Sequence, residues 1–187
     1  DVDLAIRSGE VLALLGDNGA GKSTFIKVLS GAHPQSDGEL LMDGKPVSLS
    51  SPQDAADLGI ATIFQELALS ENLSIAENVF LGRELTHRFL GVPLLRRAAM
   101  KRRVKELLEE LDAHISDPEA PVGALSGGQR QAVAICRALN LNARLVIMDE
   151  PTAALAVAET RKVLQLTRRL ADLSLIHISE PTRLLSI

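Results

Sequence analysis

Short apolar runs alternate with amphipathic stretches along this chain, which is the pattern of a parallel sheet flanked by helices. Residues 11–15, 60–64 and 145–148 are unbroken apolar runs, and each predicts a strand buried on both faces. Residues 22–30 carry apolar side chains at helical spacing instead. The pattern therefore predicts an α/β fold built on a mainly parallel sheet.

Two further segments near the N-terminus predict a small antiparallel β subdomain. Apolar and polar residues alternate over 2–6, and a turn-prone stretch joins this segment to the run at 11–15. Residues 39–42 and 46–49 read as a second hairpin closed by Asp43-Gly44. Ser51-Pro52 then predicts the start of a short helix that Gly59 ends.

The middle of the chain predicts a helical subdomain over about residues 66–130. Ser74 and Glu77 have the spacing of a capping box, and from there to residue 111 apolar residues recur at helical intervals. A basic run over 96–105 favours a solvated helix face, with an anion or nucleic-acid patch as the alternative. We expect a helical insertion between sheet strands.

Composition limits the classes of function. The 187 residues are 46% apolar, which suits one domain with a subdomain, and the four Phe without Trp or Tyr leave few platforms for base stacking. A formal charge of −4 gives no general footprint for nucleic acid. Cys136 is the sole cysteine, so no intrachain disulfide forms. Because the chain opens with Asp1 rather than Met, we expect a fragment.

The strand at 11–15 leads into a segment that fills every position of the phosphate-loop pattern G-x-x-x-x-G-K-[ST]. The segment, called the phosphate loop below, consists of Gly16, Asp17, Asn18, Gly19, Ala20, Gly21, Lys22, Ser23 and Thr24. Glycines let backbone N–H groups point inward, and the following helix start adds partial positive charge. Lys22 would reach the β- and γ-phosphates and Ser23 would ligate Mg²⁺. The alternative is a chance glycine turn that caps a helix.

Three later positions add chemistry. Gln65 follows the strand at 60–64, at the sheet edge where ligands bind in open α/β sheets. Asp149 and Glu150 close the strand at 145–148, where they suit Mg²⁺ coordination and polarisation of an attacking water, although an acidic pair is also common in a solvated turn. A second anion-binding helix terminus, or simply a capped helix, is predicted at Leu125, Ser126, Gly127, Gly128 and Gln129.

Together these motifs carry a family resemblance. In chain order they are GDNGAGKST, the strand-end Gln65, LSGGQ and LVIMDEPTAAL. Over about residues 1–172 the chain resembles the nucleotide-binding domain of ABC transporters. Within that superfamily, GIATIFQELALSENLSIAENVFLGREL and MDEPTAALAVAET resemble the ATPase subunits of bacterial simple-sugar importers of the ribose, xylose, galactoside and fructose type.

The resemblance implies a phosphate-loop NTPase core and a mechanism. Two such domains would face head to tail with ATP and Mg²⁺ between them, and the LSGGQ residues of one copy would contact the γ-phosphate held by the other. Gln65 would sense the metal and the water, and residues 66–82 would contact a membrane permease. The resemblance further implies a periplasmic sugar-binding protein, no nucleic-acid partner, and a peripheral position on the cytoplasmic face of the bacterial inner membrane.

Two alternatives to this interpretation stay open. One is an ABC ATPase that acts in DNA repair or on ribosomes, and the other is a degenerate domain that binds ATP as a regulatory ligand. The second rests on Ala156, where many members have Asp, and on the absence of the family's histidine at its usual spacing. Residues 173–187 resemble a translated transposon-type sequencing adapter, so we expect them to be read-through and exclude them from the predicted domain, 1–172.

Overall fold

The computed structural model describes residues 2–17, 19–89, 92–149, 151, 157–172 and 176–179, with the backbone alone described at 158, 159, 172 and 176–179. The chain divides into two compact units. The sheet unit comprises residues 1–65, 141–153 and 170–187, and the helical unit comprises residues 66–140 and 154–169. In chain order the elements are β1 Val11–Ala13, α1 Lys22–Leu29, β2 Leu40–Met42, β3 Lys45–Val47, α2 Pro52–Asp57, β4 Ile60–Ile63, α3 Ile75–Phe80, β5 Thr86–Phe89, β6 Val92–Leu95, α4 Arg97–Glu110, α5 Gly127–Asn140, β7 Leu145–Met148, α6 Val157–Asp172 and β8 Ile176–Ser179.

The sheet unit is organised around a four-stranded sheet in the order β1-β8-β7-β4. All three neighbouring pairs are parallel. In register, β4 and β7 end together, because Ile63 pairs with Met148. The carboxyl ends of parallel strands meet at one edge, so the segments that follow β1, β4 and β7 all leave the same side of the sheet.

Helices and a small hairpin complete the sheet unit. The core contains Ile26 and Leu29 of α1, Ala55 of α2 and Ile147 of β7, all buried. Ser51 caps α2 by accepting a hydrogen bond from the Asp54 backbone, as the Ser-Pro start predicts. Between β2 and β3 the turn residues Asp43 and Gly44 have φ of 52° and 73°. Positive φ at both positions is the type I′ geometry that the right-handed twist of a hairpin favours.

The helical unit packs α3, α4 and α5 against one another. Ser74 and Glu77 form the predicted capping box at the start of α3. Val104, Leu107 and Leu108 are buried on α4. Cys136 is buried on α5, and this burial in apolar surroundings raises the pKa of its thiol to about 12.

Two sequence predictions of secondary structure were wrong. Residues 2–7 form no strand, because β1 pairs only with β8 among the described residues and no neighbour completes the alternating segment. Within the stretch that read as continuously helical, β5 and β6 form an antiparallel hairpin. The β-branched and aromatic residues of this hairpin favour strands, and this preference outweighs the helical spacing of the flanking segments.

The C-terminal segment enters the sheet. Residues 173–187 were set aside as adapter sequence, whereas residues 176–179 form β8 between β1 and β7. A short Ile-His-Ile-Ser alternation suits a strand position with neighbours on both sides. The origin of residues 173–187 in adapter sequence stays a prediction. Within the described part of the chain, no helix has the length and apolarity to cross a membrane.

Candidate functional site

The carboxyl edge of the sheet brings together three of the predicted functional segments. The phosphate loop follows β1, Gln65 follows β4, and Asp149 follows β7. The Asp149 backbone N–H donates to Ile63 O at 2.9 Å, which fixes the end of β7 against the end of β4. Asn18 and Glu150, two of the predicted site residues, lie outside the described residues.

The phosphate loop is shaped by glycine. Gly19 and Gly21 have φ of 85° and 91°, a left-handed conformation that side chains with a Cβ rarely adopt. A Cβ at Gly16 would lie 3.3 Å from the Cβ of Ala20, because the loop folds back over its own start. The Ala20 N–H donates to Asp17 O at 3.1 Å and closes the turn. The sequence therefore forms the compact turn that a phosphate cradle requires.

Lys22 holds its own loop in place. Its Nζ donates to Gly16 O at 2.7 Å and to Asp17 O at 3.1 Å. Both acceptors are backbone carbonyls at the start of the loop, so the ammonium group lies against the loop backbone. Phosphate oxygens would compete for this ammonium group, because a charge-assisted hydrogen bond to an anion is stronger than one to a neutral carbonyl.

The start of α1 faces the same loop. Gly21 occupies the cap position and provides no side-chain hydrogen bond, and the first turn contains no acidic residue. Ser23 and Thr24 are exposed in that turn. The N–H groups of a helix end with no side-chain cap, together with the helix dipole, favour an anion at this position. Lys22 and α1 thus present positive potential toward one point.

Oxygen ligands for a divalent cation are present at the same edge. Ser23 contributes a hydroxyl, Gln65 an amide oxygen and Asp149 a carboxylate, and Gln65 is exposed. Among the described residues, no three His, Cys, Asp or Glu side chains cluster as a metal cage. Hard oxygen ligands suit Mg²⁺, which usually keeps several waters and binds through one or two carboxylates together with substrate phosphates. The residues therefore fit Mg²⁺ held jointly with a nucleotide.

A second helix start lies in the helical unit. The signature turn, residues 125–129, leads into α5 through Gly127 and Gly128. Ser126 N–H donates to Gln129 Oε1 at 3.0 Å, and the Gln129 N–H donates to Ser126 Oγ at 3.4 Å. These reciprocal bonds form a capping box. The capped-helix interpretation of this motif is confirmed, and a role in binding anions stays a prediction.

Arg130 holds the signature turn in place, although no local sequence pattern indicates this role. Its guanidinium donates to Leu125 O and Gly123 O at 3.2 Å each, and pairs with Glu71 at 3.2 Å. The Gly123 N–H also donates to Glu71 O at 3.0 Å. These bonds connect the signature turn to the segment that follows Gln65 in sequence. Glu71 is 59 positions away, so no local spacing pattern indicates the pair.

The side chain of Asn78 holds the backbone of residues 70–74, in the segment that follows Gln65. Its side chain is fully buried on α3, where Nδ2 donates to the carbonyls of Ser70, Leu73 and Ser74, and Oδ1 accepts from Ser70 N–H. A buried amide is tolerated only when its hydrogen bonds are satisfied. The signal that could have found it is a polar residue on the apolar face of a short helix.

Comparison with known proteins identifies relatives of this chain. Residues 1–153 match the family described as ABC transporter. The chain is 52% identical over 169 residues to the xylose/arabinose import ATP-binding protein XylG of Sulfolobus acidocaldarius, covering 90% of this chain and 66% of that protein. It is 50% identical over 171 residues to the ribose import ATP-binding protein RbsA 1 of Rubrobacter xylanophilus, covering 91% of this chain and 33% of that protein.

Solved structures give the same result. The ADP conformation of MJ1267, an ATP-binding cassette of an ABC transporter, superposes with a TM-score of 0.79 at 27% identity, covering 98% of this chain and 74% of that one. A dimeric post-hydrolysis state of the cassette MJ0796 bound to ADP and Pi gives a TM-score of 0.75 at 26% identity, with coverage of 98% and 79%. The chain belongs to the ABC transporter family, and its fold is that of an ATP-binding cassette.

Proposed function

We propose that this chain is the ATP-binding and hydrolysing part of a subunit that powers import of a simple sugar through a membrane permease. The observation that carries the proposal is the 52% identity to a xylose/arabinose import ATP-binding protein over 90% of the chain. The chain spans 66% of that relative's length and about a third of the ribose relative's, so the transport activity belongs to the longer protein.

The residues at the carboxyl edge of the sheet support ATP binding, and each has a defined role. Lys22 exchanges its bonds to Gly16 O and Asp17 O for β- and γ-phosphate oxygens, and the α1 start adds backbone donors. Ser23, Gln65 and Asp149 would hold Mg²⁺, which would supply charge neutralisation for the nucleotide phosphates.

Hydrolysis needs a water aligned with the γ-phosphorus. Glu150, next in sequence after Asp149, polarises that water. The water oxygen bonds to the γ-phosphorus while the bond to the β–γ bridging oxygen breaks, so ADP leaves with that oxygen. Inorganic phosphate keeps the oxygen of the water and one of its protons, and the other proton is released to solvent.

The second helix start explains a need for two copies. Ser126, Gly127 and Gly128 of one copy contact the γ-phosphate held by the phosphate loop of the other, in a head-to-tail pair. ATP binding closes the pair and hydrolysis reopens it. The partners are then a second ATP-binding domain, the permease, which contacts residues 66–82, and indirectly a periplasmic sugar-binding protein. In this proposal the subunit lies peripherally on the cytoplasmic face of the bacterial inner membrane, and we expect no nucleic-acid partner.

Replacement of Glu150 by Gln tests the catalytic part. In the full-length subunit assembled with its permease, hydrolysis falls about 10²-fold or more, while ATP still binds, because a water-polarising group is lost rather than a phosphate contact. Turnover is followed by phosphate release and binding by a fluorescent ATP analogue. Unchanged turnover contradicts the role of Glu150, and co-purification with nucleic acid instead of a permease contradicts the transport assignment.

A further inference from the structure

The hairpin formed by β5 and β6 presents an apolar face with no partner among the described residues. All eight of its strand residues are exposed. The register pairs Phe89 with Val92 and His87 with Leu94, so these four side chains share one face. Phe89, Val92 and Leu94 are 60%, 57% and 43% exposed. Because an isolated two-stranded hairpin is only marginally stable in water, this face needs a cover in the working protein.

The apolar character is concentrated at the hairpin. Residues 89–95 read FLGVPLL and contain no polar side chain. Of the fourteen exposed large apolar residues in the described part of the chain, six lie between Leu81 and Leu95. Scattered apolar residues are normal on a protein surface, but a contiguous group of this kind indicates an interaction site.

Positive charge surrounds this apolar segment. Residues 83–105 contain eight Lys and Arg against one Glu, a formal charge of +7 in a chain whose total is −4. Arg88 directly precedes the apolar segment, and Arg96 and Arg97 directly follow it. The hairpin therefore has an apolar end, with Arg96 and Arg97 at its base and Arg88 on the face opposite Phe89 and Val92.

Several of these cations have no acidic partner among the described residues. Arg103 and Lys105 on α4 pair with Glu106 and Glu109. Arg88, Arg96 and Arg102, by contrast, form no ion pair with any described residue. Between the hairpin and the first turns of α4 lies an open groove of about 740 Å³, lined by His87, Leu95, Arg96, Arg97, Ala98, Ala99 and Arg102. Its charge suits a phosphate-bearing headgroup.

We propose that this hairpin docks on the surface of an anionic lipid bilayer. Phe89, Val92 and Leu94 enter the boundary between headgroups and acyl chains, and Arg96 and Arg102 contact lipid phosphates. The apolar end of the hairpin corresponds to the apolar interior of a bilayer, and the cations at its base correspond to the phosphate layer. A nucleic-acid surface would need cations at the tip. The proposal rests on the hairpin and its charges and does not depend on sugar import or ATP hydrolysis.

A tryptophan probe tests insertion directly. The chain contains no Trp and no Tyr, so Phe89→Trp reports from a single site without background. With vesicles of phosphatidylethanolamine and phosphatidylglycerol, its emission shifts to the blue and is quenched by brominated lipid. The matched control is Leu41→Trp, which probes an exposed apolar position on β2, 54% exposed, and is expected to show neither change. The absence of a shift at position 89 would overturn the proposal.

Vesicle flotation with the same lipids measures how much the arginines and the apolar side chains each contribute to binding. Arg96→Gln with Arg102→Gln weakens vesicle binding by about fivefold for each arginine. The control Arg103→Gln with Lys105→Gln removes the same charge from ion-paired positions of α4 and costs less than one such step. Val92→Ser with Leu94→Ser lowers binding about tenfold or more, since the side chains no longer enter the boundary. Leu41→Ser with Leu164→Ser leaves it unchanged.

Two further outcomes would overturn the proposal. Equal binding to phosphatidylcholine vesicles would remove the role of the arginines and overturn the proposal. If the tryptophan at position 89 is shielded only when the purified permease is added, in detergent and without anionic lipid, the hairpin covers a protein surface and the bilayer assignment is wrong.

Discussion

The phosphate loop and the signature turn are both glycine-containing turns that open a helix, but they are stabilised in different ways. In the phosphate loop, glycines at positive φ set the backbone, and Lys22 bonds to carbonyls of its own loop. The signature turn is held by side chains: Ser126 and Gln129 cap α5, and Arg130 bonds to two carbonyls and to Glu71.

This difference separates binding from stability. Lys22 can exchange its partners for phosphate oxygens because the carbonyls that it leaves are near solvent. Arg130 and Asn78 cannot be replaced so easily, because their partners are the backbone groups that define the segment. Substitution of Lys22 should therefore change nucleotide chemistry with little change in folding stability, and substitution of Arg130 or Asn78 should do the reverse.

The largest expected effect is that of Lys22→Ala. We expect hydrolysis to fall about 10²- to 10³-fold, because a cation at the γ-phosphate is lost from the site. The free energy of unfolding should change by less than about 1 kcal/mol, since the Lys22 hydrogen bonds to Gly16 O and Asp17 O are exposed. Phosphate release and urea denaturation measure the two quantities. Lys27→Ala, an exposed position on the same helix, is the control and should change neither quantity.

Asn78→Ala should show the opposite profile. Removing its amide leaves the carbonyls of Ser70, Leu73 and Ser74 without this donor and creates a cavity, at a cost of about 2–4 kcal/mol in unfolding free energy. Asn78→Asp keeps the volume but turns the donor into an acceptor, and should destabilise at least as much. Asn72→Ala at an exposed position is the control. If Asn78→Ala is as mild as the control, the buried network does not organise the segment.

A smaller effect is expected from Arg130→Lys. An ammonium group cannot reproduce three bonds from one planar group, so we expect a loss of about 1–2 kcal/mol. Glu71→Gln should cost less than about 0.5 kcal/mol, because the ion pair is exposed and the amide oxygen still accepts. Urea denaturation compares them. Equal costs would mean that the ion pair, rather than the carbonyl contacts, secures the turn.

The smallest effect concerns the capping box of α3. The Ser74 backbone N–H and hydroxyl, with a smaller contribution from the charge of Arg97, hold the pKa of Glu77 below its ordinary value of 4.5. A lowered folded pKa means that the stabilisation is present above pH 4.5 and is lost as the pH falls through the folded value. Glu77→Gln should lower the stability slightly at neutral pH and equal the wild type well below pH 4.5, as followed by thermal melts. A difference that persists in acid would contradict this.

The same comparison shows what could be predicted from the sequence. Local patterns indicated the phosphate loop, the strands that lead to Gln65 and Asp149, the capping box of α3 and the Ser126 cap of α5, because each depends on residues within a few positions. The anchors of the signature turn escaped prediction, since Arg130 finds Glu71 only through the packing of the helical unit. The β5–β6 hairpin was missed because an apolar run between basic residues resembles an amphipathic helix.

The central claim is that the two helix starts form one ATP site across two copies, and ATP-dependent dimerisation tests it most directly. In the Glu150→Gln background, sedimentation should show a monomer alone and a dimer with ATP and Mg²⁺. Adding Ser126→Asp keeps a good cap for α5 but places a negative charge at the γ-phosphate, so the dimer should be lost while each copy still binds ATP. A dimer that persists in the Ser126→Asp variant would contradict the account.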